Sequence, residues 1–241
     1  MRRRFFVEQF DGDRAVMEGE AAHHLGRVLR AEPGQLYELS DGHRVCLARI
    51  EEVTRDRISF SLIEDVPVHQ PTLQTSLLLS IVKFDAFEFA LEKATELGVD
   101  TIVPLAATRS EKGLLAAVPK RAERWKKILL EASQQSRCLS IPALAPLTKP
   151  ETAFSSYSVS LQILLSERYE APSLRSILEE QSAPPASATL AVGPEGGWTD
   201  AEFQCAQSHG FREVSLGPFI LRTETAVIAS LASLNYALSR K

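Results

Sequence analysis

Charged side chains stand beside glycine-rich corners near the carboxyl end of this chain. Glu195 lies within Gly193, Pro194, Glu195, Gly196 and Gly197, while Arg222, Thr223 and Glu224 follow Leu216, Gly217 and Pro218. Glycine at a strand-to-helix corner lets the backbone approach a ligand closely or take a positive φ. The glycine loop lacks the Lys-Ser/Thr ending of a triphosphate-binding loop. It also lacks the GxGxxG spacing, with an acidic residue about twenty positions on, of a dinucleotide site. No GxSxG elbow and no cysteine–histidine arrangement offers a nucleophile. The chemistry left is the holding of a small, mostly uncharged, adenosine-like ligand by backbone amides and carbonyls. On spacing alone, two tight turns that merely reverse the chain are an equal reading.

The elements that must position these corners can be read from pattern. Residues 189–192 form an apolar strand before Gly193, and Thr199 is a natural N-cap for a helix with Asp200 and Glu202 in its first turn. Residues 213–216 repeat the plan, leading into a helix over 223–238. A third strand, 161–165, ends in Ser166, Glu167 and Arg168. Ligands of α/β proteins bind at the carboxyl ends of strands, and three adjacent corners can close round one small molecule. The near-continuous apolar run 75–82 suits a strand buried on both faces of a parallel sheet. A helix over 85–97, closed by Gly98, and a strand over 101–105 complete a βαβ unit. A helix from Pro119 to Arg137 carries Trp125, Ile128, Leu129 and Ala132 on one side. Its charges are lopsided: Lys120, Arg121, Arg124, Lys126, Lys127 and Arg137 against Glu123 and Glu131. Such a face is either simply solvated or a contact for RNA phosphates. Small residues along 223–238 permit close approach of another helix, within the domain or across a dimer.

The first seventy residues read as short strands (5–10, 15–17, 35–39, 45–53, 57–63) around a helix over 19–30, a pattern that suggests a small β-barrel. His23 and His24 are adjacent and point apart on a helix, with no further ligands at a suitable spacing, so no metal is expected. Arg27 and Arg30 share a face with His23 and form either a phosphate-contacting surface or a solvated one. The proline-containing segment 64–72 is the expected linker, dividing the chain into domains at 1–70 and 73–241. The 241 residues carry a net charge of −4, with 44% hydrophobic and 24% charged residues, ordinary for a soluble globular protein. Cys46, Cys138 and Cys205 are far apart and form no CxxC pair, so a reducing cytosol is the expected home. No apolar run reaches the length of a membrane span or a signal peptide.

The residues 193–197 together with Leu216, Gly217, Ile220, Leu221, Arg222, Thr223, Glu224, Thr225 and Ala226 resemble the signature of the RsmE family. These are bacterial small-subunit ribosomal RNA uridine-N3 methyltransferases of the SPOUT superfamily. Further motifs in the same order are residues 92–99, Arg124 with Trp125, Glu131 to Arg137, and His23 to Arg30 with Asp41 and Gly42. The resemblance implies a trefoil-knotted α/β domain with a parallel sheet, preceded by a small PUA-like β-barrel. It implies S-adenosylmethionine as cofactor, held by Leu165, Ser166, Glu167, Val192, Gly193, Pro194, Glu195, Gly196, Gly197, Leu216, Gly217, Ile220, Leu221, Arg222 and Thr225. Arg222 is then expected to stabilise charge on the uracil oxygens, with Glu195 or Glu224 as proton acceptor or, alternatively, as helix cap or arginine partner. RNA contacts are expected from His24, Arg27, Arg30, Lys93, Arg109, Arg124 and Arg137, the substrate being 16S ribosomal RNA, free or within the small subunit. A homodimer is also implied. Lys83 is followed by Phe84, Asp85 and Ala86 where relatives have glycine and then a basic residue, and Phe219 replaces a frequent arginine. Two rival functions stay open: a non-catalytic RNA-binding or ribosome-assembly factor on this fold, and a SPOUT enzyme acting on another RNA.

Overall fold

The computed structural model describes residues 3–68, 72–157, 159–181 and 183–238. The chain divides into two compact units, one of residues 1–70 with 133–141, the other of 71–132 with 142–241. The segment 133–141 therefore groups with the first unit, an excursion that a simple division at 70 and 73 does not contain.

The first unit is a six-stranded sheet. Its strands are β1 (Arg4–Phe6), β2 (Phe10–Asp11), β3 (Arg14–Glu18), β4 (Leu36–Ser40), β5 (Val45–Val53) and β6 (Arg57–Asp65), in the order β1-β4-β5-β6-β3-β2. All neighbours are antiparallel except β1 and β4. Register shifts between Leu47 and Ala48 and between Ile50 and Glu52 bulge β5, and bulges bend and twist a sheet. The curled sheet wraps Phe5, Met17, Leu25, Leu39, Ile50, Ile58 and Phe60. The strand expected over 5–10 is broken between Phe6 and Phe10, because its two ends pair with different partners, β4 and β3. The helix expected over 19–30 is likewise two pieces, α1 (Gly19–His23) and a π-helical turn over His24–Val28. That turn ends before Arg30, which takes a positive φ of 53°.

A buried ion pair ties residues 137–139 into this unit. Arg4 and Glu38, 4% and 8% exposed, meet at 2.9 Å, and the Arg4 guanidinium also donates to the carbonyls of Arg137 and Cys138. The Ser40 hydroxyl donates to the carbonyl of Leu139.

The second unit is a wholly parallel six-stranded sheet. Its strands are β7 (Gln74–Ser80), β8 (Thr101–Leu105), β9 (Ala143–Leu144), β10 (Leu161–Leu165), β11 (Ser187–Val192) and β12 (Arg212–Val214), in the order β12-β10-β11-β7-β8-β9. Its helices are α2 (Phe84–Glu96), α3 (Lys112–Ala117), α4 (Ala122–Ser136, its last four residues grouping with the first unit), α5 (Pro150–Ser156), α6 (Leu174–Glu179), α7 (Asp200–Ser208) and α8 (Thr223–Leu238). Alternation along the strands explains the two-sided burial. Leu77, Leu79, Ile163, Leu190 and Val192 join the core under α2 and α8, while Leu78, Leu164 and Ala191 face Phe154 of α5 and Phe203 of α7. Small residues let α8 pack on α2, and the Asn235 amide donates to the carbonyl of Leu97 at 2.8 Å. Gly98, at φ 80°, closes α2 as a left-handed cap.

The helix expected over 119–137 begins at Ala122, because residues Val118–Lys120 form a separate 3₁₀ turn around Pro119. Arg137, at φ 58°, lies beyond its end. The expected linker 64–72 falls partly outside the described residues, and β6 occupies its first two positions. Among the described residues no helix is long and apolar enough to cross a membrane, and no group of three or more His, Cys, Asp or Glu could hold a metal.

Candidate functional site

In strand order the chain runs from β7 outward to β8 and β9, then returns to the other side of β7 for β11, β10 and β12. That reversal makes a switch point beside β7, the place where open parallel sheets bind ligands. A cavity of about 1140 Å³ lies there, walled by residues that follow β7, β8, β10, β11 and β12.

Each corner is shaped locally. After β10, the Ser166 hydroxyl accepts from the Arg168 amide at 3.1 Å, turning the chain at once. After β11, the Gly197 amide donates to the carbonyl of Pro194 at 2.8 Å, and Gly197 takes a φ of 68°. After β12, the Ser215 hydroxyl accepts from the Gly217 amide at 3.2 Å, and Gly217 has φ 140°. Side-chain bonds also join the corners to one another. The Trp198 indole Nε1 donates to the carbonyl of Leu165 at 3.1 Å, and the Thr223 hydroxyl reaches the carbonyl of Gly193 at 3.4 Å.

The structure gathers most of the residues expected to hold a cofactor. Leu165, Ser166, Glu167, Val192, Gly193, Pro194, Glu195, Gly197, Leu216, Gly217, Ile220, Leu221, Arg222 and Thr225 line one cavity, and Glu224 lines it with them. Gly196 does not. Its carbonyl accepts from Arg109 Nη1 at 2.8 Å, and a β-carbon placed on it would stand 3.3 Å from Arg109 Cβ. Of the residues expected to do chemistry, Glu195 and Arg222 are exposed and Glu224 is half-buried.

The cavity also takes in residues that sequence reasoning left out of the site. Lys83, Asp85, Ala86 and Phe89 come from the start of α2, and Arg168, Trp198, Asp200 and Phe203 from the corners after β10 and β11. A lysine standing directly after the near-continuous apolar run 75–82 was one available signal. Among the described residues Lys83 and Arg222 have no ion-pair partner, whereas Arg168 pairs with Asp200 and stacks 3.7 Å over the Phe203 ring.

The residues expected at RNA lie in both units. His24, Arg27 and Arg30 are exposed on the first, with Arg27 Nη1 3.4 Å from His23 Nε2. Arg137, in the same unit, stands 3.8 Å from the Glu38 carboxylate. On the second unit Lys93 is held by Glu92 and Glu96 at 2.7 and 2.8 Å, and Arg124 by the nearly buried Glu88 at 2.7 Å. Arg109 is turned onto backbone carbonyls, those of Gly196 and Trp198. The basic helix face is therefore partly neutralised by its neighbours.

Residues 69–235 match the model of an RNA methyltransferase domain, and residues 18–63 that of an RNA methyltransferase PUA domain. The chain is 36% identical to the ribosomal RNA small subunit methyltransferase E of a Synechocystis species, over 90% of this chain and 71% of that one. It is 30% identical to the protein of that name from Aquifex aeolicus, over 95% and 97%. Among solved structures, a ribosomal RNA small subunit methyltransferase E from Neisseria gonorrhoeae bound to S-adenosyl methionine superposes with a TM-score of 0.87 at 29% identity, covering 98% of both chains. A putative methyltransferase from Legionella pneumophila, in complex with the same cofactor, gives the same TM-score, identity and coverage.

Proposed function

The chain belongs to the ribosomal RNA small subunit methyltransferase E family, and on that premise we propose that it methylates N3 of a specific uridine in 16S ribosomal RNA, using S-adenosylmethionine. The observation that carries this reading is the convergence of the corners at 165–167, 193–197 and 216–222 on one cavity, which also holds Arg222, without an ion-pair partner among the described residues.

The residues fit the cofactor. A cavity of about 1140 Å³ exceeds the roughly 300–1,000 Å³ that small-molecule pockets occupy, which leaves room for a nucleobase as well. Leu165, Val192, Leu216, Ile220 and Leu221 offer apolar surface to an adenine ring, and the glycine corners offer backbone groups to polar edges. Glu167 and Glu195 suit the positive charges of the amino acid and sulfonium portions. When bound, the cofactor supplies an electrophilic methyl group.

Uracil N3 carries a proton. As the new N–C bond forms and the C–S bond breaks, the sulfur keeps the electron pair and the N3 proton must leave. Glu195 or Glu224 accepts that proton. Arg222, whose guanidinium has no carboxylate partner among the described residues, stabilises negative charge developing on the flanking carbonyl oxygens. The corners' main task is to hold methyl and nitrogen in line, with the base extruded from its neighbours to reach them. His24, Arg27 and Arg30 on the PUA-like unit, with basic residues of the second unit, contact phosphates. Two copies pair through the region of α8 and the 216–222 corner, where Phe219, Ile220 and Tyr236 are 81%, 78% and 94% exposed. We take that corner to be threaded as a trefoil knot, as in the SPOUT fold.

The test is methylation of small-subunit RNA by purified protein, read by mass spectrometry of nucleosides. The expected product is a single N3-methyluridine. Cofactor binding without that product overturns the reaction, and failure to bind the cofactor overturns the site. Arg222→Ala is expected to abolish transfer while keeping cofactor affinity within a few-fold, and full activity in this variant would remove Arg222 from the chemistry.

A further inference from the structure

The loop that follows β8 contributes nothing to the proton or charge chemistry above, yet it is bonded at three points to the glycine corner and the helix that follows it. The Thr108 amide donates to Glu202 Oε1 at 2.8 Å, across 94 residues of sequence. Arg109 Nη1 donates to the carbonyls of Gly196 and Trp198, at 2.8 and 3.2 Å. The same loop is anchored behind by the Ser110 hydroxyl, which donates to the carbonyl of Ile81 at 2.8 Å.

Glu202 is the buried half of this bracket, only 2% exposed. Its Oε2 accepts from the amide and the hydroxyl of Thr199, both at 2.8 Å, which with the return bond from its own amide is the capping box of α7. Helix capping accounts for that oxygen and leaves Oε1 free. The bond from Oε1 to Thr108 is therefore an additional commitment, joining the start of α7 to the loop after β8.

The corner between them is costly to order. Gly196 and Gly197 are adjacent, and glycine loses more conformational freedom on ordering than any other residue. Without the bracket this stretch would sample many shapes, and each ligand would have to select one of them. Arg109 approaches so closely that even a methyl on Gly196 would press on it, at 3.3 Å.

We infer that Arg109 and Glu202 are positioning residues that hold the Gly193–Trp198 corner in its cofactor-receiving shape, with Arg109 acting on the protein's own carbonyls instead of on RNA. This rests on the assignment of the cavity to S-adenosylmethionine.

The experiment measures cofactor binding by calorimetry, RNA binding across a salt series, and steady-state kinetics, on wild type, Arg109→Ala, Arg109→Lys and Glu202→Gln. The expected result for Arg109→Ala is a cofactor Kd raised by roughly tenfold or more, as befits the loss of two charge-assisted bonds. Its KM for cofactor rises more than kcat falls, and the salt slope of RNA binding stays that of wild type. Lysine, a point charge without the planar fork, restores only part of the affinity. Glu202→Gln shifts cofactor affinity in the same direction, since its amide cannot accept at both ends. Unchanged cofactor affinity in Arg109→Ala, with a salt slope reduced by about one phosphate contact, overturns the inference and makes Arg109 an RNA ligand. Losses of kcat and melting temperature that track each other, with KM unmoved, overturn it too. Wild-type protein that fails to bind the cofactor overturns the functional reading and this inference together; wild-type binding matched by Arg109→Ala overturns the inference alone.

Discussion

The indole Nε1 of Trp198 donates to the main-chain carbonyl of Leu165 at 3.1 Å, so the last residue of one strand is tied to the turn that follows another. Trp198 is 5% exposed and packs edge-on against Phe154, 6.0 Å between ring centres. Two walls of the cavity are thereby fixed relative to each other before any ligand arrives. Trp198→Phe keeps most of the packing and removes the donor, leaving a buried carbonyl without a partner. The expected cost is about 1–3 kcal/mol of folding stability, together with weaker cofactor binding. Denaturant titration and calorimetry check both; a variant of unchanged stability would mean the carbonyl finds another donor.

Gly193 owes its identity to that tryptophan. A β-carbon there would stand 3.0 Å from Trp198 Nε1 and 3.1 Å from Cε2, and the ring cannot retreat without breaking its bond to Leu165. Gly193→Ala is expected to cost about 1–3 kcal/mol through overpacking and to weaken cofactor binding markedly. Gly42→Ala makes the contrast: its φ is 86° but nothing lies within 4 Å. That change costs only the left-handed backbone term of about 1–2 kcal/mol and leaves cofactor affinity alone. Equal effects of the two substitutions on cofactor affinity would refute the steric account.

Much of this site was legible because its signals are local. Buried strands announced themselves as apolar runs, and the corners after β10, β11 and β12 as glycine or serine beside charge. What stayed hidden depends on distant partners. The bond from Thr108 to Glu202 spans 94 residues and leaves no periodic trace. Arg124 looked like a free cation on a basic helix face, but Glu88, 36 residues earlier and itself only 9% exposed, claims it. Short elements escaped for another reason. β9 has two residues and α5 seven, too few for a periodicity to emerge, and both are set by neighbours in the sheet. The break of the expected 19–30 helix into α and π turns has no compositional mark, since the same residues suit either.

Cys46 supplies a chemical check on the first unit. Burial pushes its thiol up, and the Asp65 carboxylate, which accepts from the sulfur at 3.0 Å, pushes it further, to about 11. At pH 8 the thiolate fraction is then on the order of one in a thousand. Iodoacetamide at that pH is expected to leave Cys46 unmodified in the folded protein and to alkylate it after denaturation, as read by peptide mass spectrometry. Rapid labelling of the native thiol would refute the buried, acid-paired environment.

Glu202 carries a pH signature that separates its bracket from an ordinary surface cap. Burial pushes its carboxyl up, but the amides of Thr108 and Thr199 and the two threonine hydroxyls outweigh burial and hold it below its ordinary value of 4.5. A carboxylate depressed in the folded state binds fewer protons there than in the unfolded chain. Its contribution to stability is therefore complete above the unfolded value and is lost as pH falls through the folded one. Glu202→Gln cannot titrate, so the stability difference between wild type and variant is expected to be largest near neutral pH and to shrink below about pH 4.5. Denaturant unfolding of both proteins from about pH 7 down to about pH 3 checks this. A difference that stays constant through the acid range would mean that the ionised carboxylate contributes nothing beyond shape. Cofactor affinity should follow the same acid limb, because protonating Glu202 releases the corner that the cofactor needs in place.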